Sequence, residues 1–274
     1  MELKTHEAIN VKVIGTGGIG TCLLPPLCKL LQFGTADVFI EDVNVTLVDG
    51  DEYETKNEAR QFFNNYGNKA ESKKTELEND CPNLNFSAIT EYITEENASE
   101  MIQSGDVVFM CVDNHNTRRL VSKHCSTLEN VMLVSGGNNY HDGDIQVYRR
   151  INGKDLTSSL HNEEIYPEIA NSEDEHPKDI PERSGCQEQV ASAPQLILAN
   201  NTAACLMLNA FYSFMNGVFD PESDEFVHVF DRSQFDTKTG GFKKFNYSNT
   251  NAVDIVNKKR IDAIKAKRKQ KITN

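Results

Sequence analysis

Long apolar runs are missing from this sequence of 274 residues. The longest apolar stretch, Ala203 to Val218, is interrupted by Asn209 and Asn216, whereas a membrane-spanning helix needs about 20 consecutive apolar residues. The segment Met1 to His6 also contains no apolar core of the kind found in signal peptides. We therefore expect a cytoplasmic protein that makes no use of a membrane.

Paired cysteines are missing as well. The chain has seven cysteines, and no two of them form a Cys-x-x-Cys pair, which is the spacing typical of structural zinc sites. A chain of this size does not need disulfides for its stability. The sequence therefore predicts reduced thiols and no structural zinc.

Positive charge is scarce in the body of the chain. Lysine and arginine number 28 against 41 acidic residues, which gives a formal net charge of −13 and argues against general nucleic-acid binding. The segment 258–271 reverses this balance with eight basic residues and one acid. We interpret residues 1–250 as one α/β domain and 251–274 as a basic tail, either simply solvated or used to dock an acidic partner.

Strand and helix patterns alternate along the first half of the chain. The predicted strands are Asn10–Ile14, Val45–Val48, Asn85–Ile89, Val107–Val112 and Val131–Ser135. The predicted helices are Ile19–Phe33, which Pro25 and Pro26 are expected to kink, Lys69–Asp80, Glu95–Gln103 and Asn116–Leu128. This alternation predicts a Rossmann-like α/β fold, a mostly parallel sheet with helices on both faces.

The second half of the chain has a different character. Ile145–Arg150 has the alternation of a strand, and Asn152–Gly185 is a polar, acidic stretch that we predict to be a long crossover loop. Ala191–Met215 has the apolar periodicity of a long helix. Phe226–Phe230 and Phe242–Tyr247 are predicted to form a closing pair of antiparallel strands.

A glycine turn follows the first predicted strand. It contains Gly15, Gly17, Gly18 and Gly20, and such a turn lets backbone N–H groups and a helix N-terminus approach phosphates. Dehydrogenases use nearly the same turn, so the glycines alone do not identify the nucleotide.

Asp49, after the second predicted strand, suits the ribose hydroxyls of a nucleotide. It lies 49 − 15 = 34 residues after the first glycine, more than the about 20 that separate the two in NAD sites. We place the excess in an insertion near Asp37 to Asn44.

The residues after Asp49 favour ATP over a nicotinamide. Asn57, Arg60 and Gln61 follow closely enough to reach the same nucleotide, and a dehydrogenase has no use for them. The chain also has no Walker-type Gly-Lys-Ser/Thr sequence. Arg60, together with a lysine further along the chain, is therefore expected to neutralise the triphosphate as a point charge.

Taken together, these motifs resemble those of the ThiF/MoeB/HesA-type adenylyltransferases, the superfamily that includes the ubiquitin-activating enzymes and the ThiF-like proteins of PRTRC plasmid systems. The resemblance runs from about Val11 to Val218 and includes the glycine turn and the sequence Asn57-x-x-Arg60-Gln61. The resemblance implies a Rossmann-like fold. It also implies an enzyme that uses ATP and Mg²⁺ to activate the C-terminal carboxylate of a ubiquitin-like or sulfur-carrier protein as an acyl-adenylate.

The resemblance also implies roles for single residues. Asp49 and Asp51 belong to the nucleotide site, and Lys69 matches the phosphate-binding lysine, with Lys73 as the second choice. Asp113 matches the magnesium-binding aspartate of an Asp-Asn-x-x-x-Arg motif. The alternative is that Asp113 only caps the next helix.

Cys186 lies where many members of this family carry the cysteine that accepts the acyl group as a thioester. The alternative is a structural or incidental cysteine, because some relatives only adenylate. Four other cysteines lie in apolar elements and are predicted to belong to the core, namely Cys22, Cys28, Cys111 and Cys205.

The sequence departs from the family pattern at two points. No arginine precedes Arg60, so we expect the phosphate contact that several relatives make from an N-terminal helix to be absent or replaced. The zinc-binding cysteine pairs of many members are also missing. We expect a homodimer whose carrier and conjugating partner are separate proteins; the alternatives are a nucleotide-binding scaffold without turnover and an NAD-dependent oxidoreductase.

Overall fold

The computed structural model describes residues 4–34, 38–175, 195–219 and 230–247. Within these ranges the strands are β1 Lys4–Ile14, β2 Val38–Val48, β3 Glu52–Tyr53, β4 Gly67–Asn68, β5 Asn85–Ile89, β6 Val107–Met110, β7 Val131–Asn138, β8 Asp142–Ile151, β9 Lys154–Asp155, β10 Arg232–Asp236 and β11 Gly241–Phe245. The α-helices are α1 Gly18–Phe33, α2 Lys69–Asp80, α3 Ala98–Met101, α4 His115–Cys125, α5 Pro167–Ala170 and α6 Ile197–Phe219, and a 3₁₀ turn covers Thr55–Asn57.

The main sheet has the order β11-β10-β8-β7-β6-β1-β2-β5, with β9 paired to β8. The five strands from β5 to β7 are parallel. β1 lies between β2 and β6, so the strand order reverses at β1. In open sheets of this kind a ligand binds beyond the carboxyl ends of the strands at such a reversal.

β8, β10 and β11 extend the sheet beyond β7 as an antiparallel unit, which we name the antiparallel wing. The small β3–β4 ladder is separate from the main sheet. The predicted Rossmann-like architecture with antiparallel strands near the end of the chain is thus confirmed.

Two apolar layers cover the sheet on opposite faces. On one face α1, α2 and α6 pack against buried side chains such as Val13, Leu47 and Val134. On the other face α3, α4 and α5 pack against residues such as Val108 and Tyr148. Burial of both faces explains why the central strand β6 is a continuous run of apolar residues.

The first two strands are longer than predicted. β1 begins at Lys4 and β2 at Val38, and the two segments pair in parallel from Lys4 and Val38 onward. Residues 38–44, which fall within the predicted insertion, thus belong to β2. The polar residues there hide the strand pattern, because backbone pairing needs no particular side chains.

Several predicted boundaries were wrong by a few residues. β6 ends at Met110, because Ile14, its last partner in β1, is the end of that strand. α3 is only four residues long, and α4 covers His115–Cys125 rather than Asn116–Leu128. The chain leaves α4 through tight turns in which Thr127 and Leu128 donate to His124 and Cys125.

The second half also differs from the prediction. The expected loop after Asn152 contains β9 and α5, and α6 ends at Phe219, four residues after the predicted end. The strand that pairs with β11 is Arg232–Asp236, whereas the prediction placed it at Phe226–Phe230, of which 226–229 lie outside the described residues. The sequence Arg-Ser-Gln-Phe-Asp of β10 contains one aromatic residue, Phe235, and none of the β-branched residues typical of strands. In the described ranges no helix is long and apolar enough to cross a membrane.

Candidate nucleotide-binding site

A cavity of about 1140 Å³ opens at the carboxyl ends of β1 and β6, where the strand order reverses. One part of its wall, which we name the nucleotide lobe, contains ten of the residues predicted from the sequence. They are Gly15, Gly17, Gly18, Asp49, Asp51, Asn57, Arg60, Gln61, Lys69 and Asp113. Gly20 lies beneath the turn, and Cys186 lies outside the described residues.

The glycine turn needs glycine at both its ends. Gly15 has a φ of +90°, a conformation that other residues rarely adopt. At Gly20 a Cβ atom would lie 2.2 Å from the carbonyl oxygen of Gly15. The turn can therefore close tightly between β1 and α1 only if both positions lack side chains.

The carboxylate of Asp49 is held by the glycine turn. The backbone N–H of Thr16 donates to Asp49 Oδ2 over 2.6 Å, the Thr16 hydroxyl donates to the same oxygen over 3.0 Å, and Asp51 N–H donates to Oδ1 over 3.0 Å. Burial raises the pKa of the Asp49 carboxyl, while Lys69 and the Thr16 N–H act in the opposite direction. Asp49 thus has a fixed position beside the glycine turn.

Asp51 and Lys69 form an ion pair on the cavity wall. Lys69 Nζ lies 3.0 Å from Asp51 Oδ2, and the Tyr92 hydroxyl donates to Oδ1. Burial works against ionisation of Asp51, but Lys69 and Tyr92 outweigh it and lower the pKa of the carboxyl. The ion pair holds the Lys69 ammonium group on the wall of the nucleotide lobe, where phosphate oxygens can replace Asp51 as its partner.

The 3₁₀ turn and the four residues after it contain the next three predicted residues, Asn57, Arg60 and Gln61. Asn57 Oδ1 accepts from Glu54 N–H over 2.9 Å, so the Asn57 side chain shapes this turn. The side-chain amide of Asn200, on α6, donates to the backbone carbonyl of Arg60 over 3.1 Å. Gln61 is 7% exposed, and its Oε1 atom accepts no hydrogen bond from the described residues. A buried acceptor of this kind fits a hydroxyl or amine of a nucleotide.

The structure separates the two candidate phosphate lysines. Lys69 lies on the cavity wall, whereas Lys73 is buried one turn further along α2 and lies 2.5 Å from Glu76 Oε2. Lys73 lines a different and much smaller cavity. The geometry thus favours Lys69 for contact with a nucleotide.

Asp113 is exposed at the cavity, just after β6. The cap of α4 is Asn114, whose Oδ1 accepts from Thr117 N–H over 2.8 Å. The alternative that Asp113 caps this helix is therefore wrong. The Asp113 carboxylate faces the cavity and does not form the helix cap. Mg²⁺ bound to a triphosphate needs only one or two protein carboxylates, and within the described ranges no group of three or more potential metal ligands exists.

Two neighbours of Asp113 were not predicted as site residues. Arg118 is fully buried, and its guanidinium donates to Val112 O over 2.7 Å and to Gly136 O over 2.8 Å. This arrangement joins the ends of β6 and β7. His115 also lines the cavity, and burial together with Arg118 lowers the pKa of its ring.

The other part of the cavity wall, which we name the strand lobe, was not foreseen from the sequence. It lies on β8, α5 and the strands beyond, and its main polar residues are Asp142, Asp144, Gln146, Glu168, Arg232, Gln234, Asp236 and Lys243. Arg232 Nε donates to Asp144 Oδ2 over 2.6 Å and its terminal nitrogen lies 3.2 Å from Glu168 Oε1. The three partners in these contacts are far apart in the chain, so no local sequence motif predicts them.

The cysteine predictions are confirmed in part. Cys22, Cys28 and Cys111 are buried, and burial raises the pKa of each thiol. Cys205 is exposed, which contradicts its assignment to the core. It lies on the outward side of α6, where the apolar periodicity of the helix does not decide which face is covered.

Comparisons with known proteins agree with this fold. The model of the ThiF family matches residues 2–252. Over 148 residues the chain is 33% identical to adenylyltransferase and sulfurtransferase MOCS3 of Drosophila sechellia, covering 53% of this chain and 30% of that protein. Over 145 residues it is 28% identical to adenylyltransferase and sulfurtransferase UBA4 of Meyerozyma guilliermondii, covering 52% and 32%.

Among solved structures, Escherichia coli MccB in complex with ATP superimposes with a TM-score of 0.62 at 21% identity. The match covers 88% of this chain and 64% of MccB. The matched region spans about a third of the curated relatives' length and under two thirds of the MccB chain. At this identity the MccB match establishes the fold.

Proposed function

Since the chain belongs to the ThiF family, we propose that it adenylates the C-terminal carboxylate of a ubiquitin-like or sulfur-carrier protein, with ATP and Mg²⁺. The observation that carries this proposal is the convergence of the ten predicted nucleotide residues on one cavity. The relatives MOCS3 and UBA4 are named adenylyltransferases, and MccB has been solved with ATP, which supports the same chemistry.

In this reaction a carboxylate oxygen of the carrier attacks the α-phosphorus of ATP. The bond between that phosphorus and the bridging oxygen breaks, and pyrophosphate leaves with the electron pair. Arg60 and Lys69 stabilise the negative charge on the phosphates, and Asp49 orients the ribose. Lys69 exchanges its present partner Asp51 for phosphate oxygens.

The residues at the cavity fit a magnesium ion held by Asp113. The carboxylate is exposed, faces the cavity and is not the cap of α4. Asp113 would hold the ion through its carboxylate, and the bound ion would supply positive charge that neutralises the phosphates.

The second step assigned to Cys186 rests on the sequence alone, because this residue lies outside the described range. In that step the thiolate attacks the acyl carbon of the adenylate, AMP leaves, and a thioester forms. Cys186→Ala should retain adenylation of the carrier and lose a thioester detected on non-reducing gels, and Cys205→Ala is the matched control. A thioester that persists in Cys186→Ala would remove this step from the proposal.

The nucleotide assignment is tested by calorimetric titration with Mg²⁺-ATP and with NAD. We expect ATP to bind and NAD not to bind, and Arg60→Ala to weaken ATP binding by at least about tenfold, as loss of a charged hydrogen bond does. Lys74→Ala is a suitable control, because Lys74 pairs with Glu78 on α2 and does not line the cavity. Failure of the folded protein to bind Mg²⁺-ATP would overturn the proposal.

A further inference from the structure

The strand lobe contains more carboxylates than cations. Its charged side chains on the cavity wall are Asp142, Asp144, Glu168 and Asp236 against Arg232 and Lys243. Four carboxylates and two cations give this wall an excess of two negative charges. Carboxylates repel phosphates, so this acidic wall does not bind the phosphates of the nucleotide. We therefore expect it to bind a positively charged part of the other substrate.

The strand register concentrates this charge on one face of the antiparallel wing. Asp236 lies directly opposite Asp142, and two residues further along the strands Gln234 lies opposite Asp144. Side chains two apart share a face of a strand, so Asp142, Asp144 and Asp236 point to the same side. Like charges directly opposite each other destabilise a strand pair unless a cation lies nearby.

The arginine of the lobe is already engaged. Arg232 is bound to Asp144 and Glu168 and lies over the ring of Tyr166. Asp142 and Asp236 accept hydrogen bonds from the Asn139 side chain and from the Lys238 backbone. Neither of these two carboxylates pairs with a lysine or arginine among the residues described, so their charge is available to a ligand.

Acceptor oxygens without donors occur on the same wall. Gln146 is 2% exposed, and its Oε1 atom accepts no hydrogen bond from the described residues. The buried Oδ1 atom of Asn138, at the end of β7, is in the same situation. Such oxygens call for N–H donors, which the backbone of an extended peptide and a basic side chain both provide.

An exposed aromatic residue completes the lobe. Phe242 lies on the cavity wall and is 61% exposed. Aromatic rings bind the aliphatic stem and the charged end of lysine or arginine. The wall therefore offers carboxylates, free acceptors and an aromatic surface in one continuous region that leads to the nucleotide lobe.

We propose that the strand lobe binds the residues preceding the C-terminal carboxylate of the substrate as an extended segment, and that this segment contains lysine or arginine. The inference rests on the proposed adenylation, because the same segment must deliver its carboxylate to the nucleotide lobe. It narrows the substrate class to carriers or peptides with a basic C-terminal segment and excludes those with an acidic one.

The test uses fluorescein-labelled octapeptides Ala-Ser-Ala-X-X-Ala-Ser-Ala with a free C-terminal carboxylate, in which X is lysine, glutamine or glutamate. Anisotropy is measured with Mg²⁺ and a non-hydrolysable ATP analogue present. The lysine peptide should bind about tenfold more tightly than the glutamate peptide, as two exposed charge pairs give, with glutamine between them. The difference should shrink as salt is raised. A peptide series with one lysine moved through each position should show a preferred position.

A double variant connects the preference to the strand lobe. In Asp142→Asn/Asp236→Asn the amide oxygens can still accept the turn hydrogen bonds, but two negative charges are gone. The ratio between the lysine and glutamate peptides should fall below about threefold. Glu95→Gln/Glu100→Gln removes the same charge from exposed positions outside the cavity and should keep the full ratio.

Three results would overturn the inference: equal affinity for the three peptides, tighter binding of the glutamate peptide, or no binding of any. A preference that survives in Asp142→Asn/Asp236→Asn would place the selectivity elsewhere and would also overturn it. Titration of the same preparations with Mg²⁺-ATP distinguishes failure of the strand-lobe inference from failure of the proposed function. ATP binding without charge preference defeats only the strand-lobe inference, whereas absence of ATP binding defeats the proposed function first.

Discussion

The two lobes of the cavity are built in different ways from the chain. Most of the nucleotide lobe comes from two short segments, 15–18 and 49–61, to which Lys69 and Asp113 are added. The strand lobe is assembled from distant residues, since Arg232 binds Asp144 from 88 positions away and Glu168 from 64. A site made from contiguous segments leaves a motif in the sequence, while a site made by strand register does not.

The largest effect should come from the turn that supports the nucleotide lobe. Gly20→Ala would place a Cβ 2.2 Å from Gly15 O, and we expect a loss of about 3 kcal/mol in the free energy of unfolding in urea. Gly17→Ala is the matched control, because its Cβ would find only ordinary contacts, the nearest atom being Gln61 Nε2 at 3.6 Å. Its stability should stay within about 0.5 kcal/mol. Equal stability of the two variants would show that the turn is not closed as described.

The two lysines of α2 should separate nucleotide binding from stability. Lys69→Gln removes the cation of the cavity wall and should weaken Mg²⁺-ATP binding about 10- to 100-fold in calorimetry. Lys73→Gln breaks the buried pair with Glu76 and should instead lower the unfolding free energy. If Lys73→Gln weakens ATP binding more than Lys69→Gln at equal folding, the assignment of the phosphate lysine is reversed.

In the strand lobe the main ion pair should matter for stability. Arg232→Met leaves the half-buried carboxylate of Asp144 without its cation, and burial already raises the pKa of that carboxyl. We expect a loss of about 2 kcal/mol in urea unfolding. Adding Asp144→Asn should recover part of this loss, because the unpaired charge is then gone. Full additivity of the two substitutions would argue against the pair.

The smallest effect concerns pH and the Asp51–Lys69 pair. The folded-state pKa of Asp51 lies below its ordinary value, so this carboxylate stabilises the fold above the unfolded pKa of about 3.9. That contribution is lost as the pH falls through the folded-state pKa. At pH 7 wild type should exceed Lys69→Gln in stability by about 0.5 kcal/mol, since Asp51 is half exposed. A difference that grows between pH 5 and pH 3 would contradict the pair.

The contrast between the lobes also explains what the sequence could reveal. The glycine turn, Asp49 and the segment from Asn57 to Gln61 were recognisable, because residues that are close together in the chain also line the cavity together. The parallel strands were recognisable from apolar runs that the two helical layers bury. The prediction misplaced β10 because most of its residues are polar. It therefore also missed Arg232, the residue of β10 that binds Asp144. The hydrogen bonds from Thr16 to Asp49 and from Tyr92 to Asp51 have no signal in the sequence, since only the fold brings these partners together.

The central claim is that this chain activates a carrier carboxylate with ATP, and carrier-dependent exchange of pyrophosphate into ATP tests it most directly. The assay uses the full chain, Mg²⁺, labelled pyrophosphate and small proteins encoded beside it as candidate carriers, with Asp113→Ala as control. We predict exchange that depends on one carrier and falls at least about 100-fold in Asp113→Ala. Tight binding of Mg²⁺-ATP with no exchange from any carrier would contradict the account and indicate a nucleotide-binding scaffold.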